Sequence, residues 1–175
     1  SYAGQAVIMT YPMIGNYGIT RADDESRRPF LQAFIVREMC RYPSNHEAVE
    51  SVPHYLLRQG IVGIEGIDTR KLTKIIRTKG ALRCVVSTKE TDGRKLVERA
   101  KNSPSMKGAD WASRVTCDRH YDWNEGLQEG NPPLTFDFPS PPKVVVMDYG
   151  VKYSILRCLH SMGCKVVVVP ADTPA

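Results

Sequence analysis

No apolar run in this chain approaches the ~20 residues that carry a helix across a bilayer, so no membrane span is encoded. Cysteine is sparse and badly spaced: Cys40, Cys84, Cys117, Cys158 and Cys164 form an odd set without a C-x-x-C pair. That spacing suggests neither a disulfide framework nor a zinc ribbon, and reduced thiols in a cytosol-like compartment are the simplest expectation. There is no G-x-G-x-x-G and no P-loop Lys-Ser/Thr pair, which argues against a nucleotide site on this chain. The net charge of +5 and a pI near 9.0 would suit nucleic acid, yet the cations are scattered instead of gathered with aromatics. Nucleic acid is therefore not an expected partner. No internal repeat is visible, and the sequence opens on Ser1, not Met, without a charged-then-apolar stretch before the first strand, a start that would conceal any leader removed from it.

What is present is an ordinary globular composition, 42% hydrophobic and 25% charged, in 175 residues that can bury a real core. The most legible stretch runs from Lys143 to Pro170. Val144, Val145, Val146 and Met147 form a short apolar run that fits a strand buried on both faces. Asp148, Tyr149 and Gly150 break it, and Val151, Ile155, Leu156, Leu159 and Met162 then recur at helical spacing. Gly163 supplies a left-handed stop, after which Lys165 to Val169 begins a second buried strand closed by Pro170. The pattern predicts one parallel strand–helix–strand unit. A doubly wound sheet needs several, so the expectation is that this sheet and its chemistry continue past Ala175 and that the chain is a piece of something larger.

Upstream, residues 4–12 read as a strand ending at Pro12, followed by a loop in which Gly15, Asn16 and Gly18 supply turn conformations. Residues 20–29 are charged and predict an exposed loop. Phe30 to Val36 is strand-like, and Ser51 with Val52 and Pro53 starts a helix that Gly60 ends. His46 and His54 lack a metal-ligand companion set and read as surface or capping residues. Ile61 to Ile67 predicts a strand, Asp68 caps a helix from Thr69 to Lys79, and Gly80 closes it. Its cations Arg70, Lys71, Lys74, Arg77 and Lys79 form either a surface for phosphate or an acidic partner, or a solvated face suited to the helix dipole. Ala81 to Ser87 predicts another strand with Cys84 as a core thiol, and Asp92 to Lys101 a short helix. The division expected is a compact mixed α/β domain over 1–103, a linker over 104–142 rich in proline at its end, and an α/β domain starting at 143. Trp111, Tyr121 and Trp123 in that linker are expected to anchor it to a domain surface.

Three runs are recognisable together: Thr10-Tyr-Pro-Met-Ile-Gly-Asn-Tyr-Gly18, Ile67-Asp-Thr-Arg-Lys-Leu-Thr73 and Met147-Asp-Tyr-Gly-Val-Lys-Tyr-Ser-Ile-Leu-Arg157. Their order and separations resemble the small subunit of carbamoyl-phosphate synthetase across essentially the whole chain. The resemblance implies the fold as α/β: a compact mixed α/β N-terminal domain, then the first βαβ unit of a class I glutamine amidotransferase domain of flavodoxin-like type. It implies glutamine hydrolysis, with ammonia passed to a large subunit, separate or fused, that makes carbamoyl phosphate for pyrimidine and arginine synthesis in the cytoplasm. ATP and magnesium would belong to that large subunit, with no cofactor on this chain. In the family an Asp-Pro-Ser-Tyr segment helps bind L-glutamine, and Ser1-Tyr2 match its second half, so Ser1 is the expected glutamine-binding residue.

The sequence departs from the family in lacking its chemical centre. A nucleophilic cysteine needs an exposed elbow flanked by glycines and a histidine base, and no cysteine here has glycines two residues to either side. No catalytic residue is expected in this chain. Cys158, His160 and Cys164 make the one tempting cluster, but the helix pattern assigns the thiols to the core. The alternative reading is an interaction domain of an ammonia-dependent synthetase that has lost the nucleophilic cysteine. Under either reading the resemblance implies that the N-terminal domain packs against the large subunit, and an exposed apolar patch is expected there.

Overall fold

A computed structural model describes residues 2–128, 136 and 138–174, in which two compact units are formed by Ser1–Arg21 with Pro29–Ala109 and by Ala22–Arg28 with Asp110–Ala175. The first unit contains β1 (Ala6–Ile8), β2 (Ala33–Ile35), α1 (Val52–Arg58), β3 (Val62–Ile64), α2 (Thr69–Lys79) and α3 (Gly93–Asn102). Its strands lie parallel in the order β1-β2-β3, with Ala33 paired to both Ala6 and Val62. Each strand stops after three residues because the chain turns into loops rich in Pro, Gly and charge. The helix ends follow from local chemistry. Ser51 accepts from the His54 amide, Asp68 from Lys71 and Asp92 from Arg94, satisfying N–H groups that the first turn leaves open. Ala33, Ile35, Val36, Leu56 and Ile61 are buried in this unit.

Two expectations fail here. Ala81 to Ser87 is not a strand, because a β-prone segment becomes one only where a neighbour completes its hydrogen bonds, and the sheet of the described residues has none for it. Cys84 is consequently exposed, not a core thiol. On α2, Leu72 and Ile76 are half-buried while Ile75 is exposed.

The second unit holds α4 (Ala112–Val115), β4 (Tyr121–Trp123), β5 (Lys143–Asp148), α5 (Tyr153–Ser161) and β6 (Lys165–Pro170). β5 and β6 pair in parallel from Lys143–Lys165 to Asp148–Pro170, and β4 runs antiparallel on the other side of β6. Cys117, Trp123, Leu156, Cys164, Val166 and Val168 form the buried cluster, with Val144, Val146, Tyr153 and Leu159 packed on it. β4 lies in the stretch read as a linker, and its Trp123 is a core residue 4.8 Å from the Tyr153 ring. β5 is not buried on both faces as expected: Val145 and Met147 are exposed, because among the described residues only the α5 side of the strand is covered. Ile155 faces outward as well. No helix among the described residues is long and apolar enough to cross a membrane.

Candidate functional site

In the first unit the loops that leave the carboxyl ends of the strands are bound to one another. The Cys40 amide donates to Ile14 O, Ser44 N to Asn16 O and Val49 N to Ile19 O, so residues 14–19 lie along residues 40–50. Gly18 makes this approach possible: at φ +76°, an added Cβ would stand 2.7 Å from Ala48 Cβ and 2.8 Å from Pro43 Cβ. The glycine thus serves a close backbone approach as well as a turn. At the end of β3, Glu65 pairs with Arg41 and accepts from the Met39 amide. The same loops leave Tyr11, Met13, Tyr17 and Tyr42 exposed, the last at 87%. An aromatic, polar-framed surface of this kind suits protein recognition more than small-molecule chemistry.

A second cluster in this unit is electrostatic. Glu50 Oε2 lies 2.7 Å from Arg58 Nη2, and Oε1 lies 3.5 Å from His54 Nδ1. The hydrogen bond from Arg58 holds the Glu50 carboxyl below its ordinary value, with the nearby charges of Arg58 and His54 in the same direction and desolvation opposing. His54 therefore has an acidic companion that its spacing did not advertise, and the pair stabilises the start of α1. His46 is a surface residue beside Glu47. The cations of α2 are all exposed, as a solvated face would be.

In the second unit the turn after β5 has the densest chemistry. Asp148 is only 6% exposed, and its Oδ1 accepts from Gly150 N at 2.8 Å and Val151 N at 2.9 Å. That turn requires Gly150 at φ +90°, where a Cβ would meet Val115 Cγ2 at 3.1 Å. Cys117 is buried beside it, and its thiol is pushed up first by burial and then by the Asp148 charge. A thiol kept protonated in this way is the reverse of an activated nucleophile. Burial also raises the Tyr121 hydroxyl, to about 12, and the Tyr153 hydroxyl. The cluster has the character of a structural core beside a turn, and among the described residues no group of three or more His, Cys, Asp or Glu could hold a metal ion.

Elements distant in sequence complete this turn. Lys152, at the N-cap of α5, makes no side-chain cap, and the first amides of the helix are met instead by residues from the Ala22–Arg28 segment. Tyr153 N donates to Glu25 O at 3.1 Å and Ser154 N to Glu25 Oε2 at 2.8 Å, while Lys152 Nζ lies 3.9 Å from Glu25 Oε1. Sequence reasoning missed Glu25 because residues 20–29 carry only the generic signal of an exposed charged loop. It also missed the Cys117–Asp148 neighbourhood, for which no local signal exists. Ser1, the expected glutamine contact, lies outside the described residues. Cys158 is half-buried on α5 and Cys164 is buried in the cluster around Leu156, so the thiols flanking His160 belong to packing.

Residues 1–86 match the family described as the carbamoyl-phosphate synthase small chain, CPSase domain. Over its whole length the chain is 48% identical to the carbamoyl phosphate synthase small chain of Syntrophotalea carbinolica, covering 47% of that protein. It is 47% identical to the protein of the same name from Nitratidesulfovibrio vulgaris, covering 48% of it. With the one from Thermosynechococcus vestitus the identity is 46%, again over all of this chain and 46% of the relative. The chain spans about half the length of the curated relatives it matches.

Proposed function

Since this chain belongs to the carbamoyl-phosphate synthase small-chain family, we propose that it is part of a subunit that hydrolyses glutamine and delivers ammonia to a large, ATP-dependent subunit making carbamoyl phosphate. The observation that carries this reading is the 47–48% identity sustained across the entire chain, not within one motif. Carbamoyl phosphate made this way would serve pyrimidine and arginine synthesis. In this reading β5, α5 and β6 are the first βαβ unit of a glutamine amidotransferase domain, and Ser1 contacts L-glutamine. Their parallel register supports the first of these, because a doubly wound sheet starts from such a unit. The free thiols of Cys40, Cys84, Cys117, Cys158 and Cys164 support a reducing, cytoplasmic setting. ATP and magnesium belong to the large subunit's chemistry, and neither nucleic acid nor a membrane enters the reading.

This reading puts the nucleophilic cysteine and its histidine base outside the present chain, since none of its five cysteines has the flanking glycines of a nucleophile elbow; the raised thiol of Cys117 and the core position of Cys164 support it. The test measures glutamate released by the full-length protein, with and without the large subunit, beside the 175-residue chain. Activity in the full-length protein and none in the chain supports the amidotransferase reading. A second reading is an interaction domain of a synthetase using free ammonia; the exposed Tyr11, Met13, Tyr17 and Tyr42 support a docking role under either reading. Silence of both proteins, with the chain still binding the large subunit, would establish that alternative.

A further inference from the structure

The segment Ala22–Arg28 belongs to the second unit, although the residues on either side of it belong to the first. Both flanks are fixed in that first unit. Ile19 exchanges hydrogen bonds with the 49–50 backbone and Thr20 is buried, while Gln32 N donates to Gln5 O just before β2. Between those anchors the segment supplies the N-terminal turn of α5 with its acceptors, through Glu25 O and Glu25 Oε2. Arg157 Nη1 donates to Asp24 O at 3.0 Å, Arg27 Nη1 to Thr116 O at 2.8 Å and Gln128 Nε2 to Ala22 O at 2.6 Å.

Every one of these contacts is polar. The segment places no large apolar side chain in the core around Leu156 and Val168, and only Glu25 and Ser26 within it are half-buried. Two regimes of stability follow. The sheet β4-β6-β5 and the inner face of α5, Tyr153 included, are held by apolar burial, whereas the first amides of α5 find their acceptors only in a distant polar segment.

We propose that Ala22–Arg28 is a releasable strap: when it lets go, the amides at the start of α5 are uncovered while the sheet, and the turn that Asp148 holds, stay folded. The physical reason is the unfilled cap. Without the strap, the amides of Tyr153 and Ser154 lose the Glu25 carbonyl and carboxylate as acceptors, and Lys152 offers none in their place. The helix start that the strap caps follows the carboxyl end of β5, the side on which parallel α/β sheets bind their ligands. This inference stands whatever chemistry the full-length protein performs.

The test is amide hydrogen exchange on the whole chain, comparing Tyr153 and Ser154 with Val166–Val168, in the parent and in Glu25→Ala. Loss of a hydrogen bond to a charged acceptor should speed exchange at Ser154 by about tenfold or more. Exchange in β6 should change by less than about twofold, since its burial is untouched. Glu25→Gln keeps an oxygen acceptor but loses the charge toward Lys152, and should fall between the two. As an independent readout, trypsin should nick the Arg27–Arg28 bond faster in Glu25→Ala, because the released strap is open to the protease. Unchanged exchange at Ser154 would overturn the proposal. Equal acceleration in β6 would overturn it too, since the segment would then be part of the cooperative core.

Discussion

The two units solve the same problem, burying one face of a small three-stranded sheet, with opposite allocations of sequence. In the first, each strand is three residues long and much of the intervening chain is loop, so a small core of Ala33, Ile35, Val36, Leu56 and Ile61 is supplemented by ion pairs such as Arg41–Glu65 and Arg58–Glu50 and by close approaches such as Gly18 to Ala48. In the second, β5 and β6 are six residues each and alternate Val into a core that leaves Leu156 and Val168 with no exposed surface. A fold rich in loops displays side chains, and a fold rich in strand packs them. That contrast is in keeping with the proposed docking role of the first unit and the proposed start of an amidotransferase sheet in the second.

The contrast can be broken most severely at Leu156. Leu156→Ala leaves a cavity under α5 and should cost about 2–5 kcal/mol. Both tryptophans of the chain, Trp111 and Trp123, lie in the second unit, so their fluorescence in a urea titration reports on it. A midpoint that did not move would mean that the core is not where the second unit keeps its stability. Gly18→Ala addresses the first unit. The added methyl meets Ala48 and Pro43 at a positive φ, with an expected loss of about 1–3 kcal/mol read by circular dichroism, while tryptophan fluorescence stays at its parental midpoint.

A smaller effect is expected at a cap. Asp68→Ala removes the acceptor for Lys71 N and should destabilise the first unit by about 1 kcal/mol, with Asp68→Asn recovering most of it. The last comparison is in pH. The Glu50 carboxyl is lowered in the folded state, so its contribution is present above the ordinary value near 4.3 and is lost as pH falls through the lower folded value. Tyr121 is raised, so its contribution is present below the ordinary value near 10 and is lost as pH climbs toward about 12. Stability–pH curves should therefore flatten on the acid side in Glu50→Gln and on the alkaline side in Tyr121→Phe. An exchange of those two effects would contradict the assignment of charge to one unit and burial to the other.

Helix ends were the most legible part of the fold. Asp68 and Gly80 bracket α2 at the expected residues, and Ser51 and Gly163 act where their chemistry predicts, because a cap is satisfied within a few residues of the chain. The β5–α5–β6 succession was legible for the same reason. What failed was non-local. Ala81 to Ser87 has strand composition and no partner, β4 has a partner in β6 that its composition did not announce, and Val145 and Met147 are apolar on a face left open. Around the candidate sites, the turn at Asp148–Gly150 could be seen in the sequence, but neither Cys117 beside it nor Glu25 above α5 could.

Sequence alone determined the family resemblance, the capped helices and the alternation of the valine strands, since each depends on residue types at short, fixed spacings. Tertiary structure decided that Trp123 is core, that Cys84 is surface, that Cys117 stays protonated and that a charged N-terminal loop caps a helix in the other half of the chain. Those outcomes depend on which distant groups share a small volume of low polarity. Burial, hydrogen-bond satisfaction and a neighbour's charge are properties of that volume, and no stretch of the chain encodes them by itself.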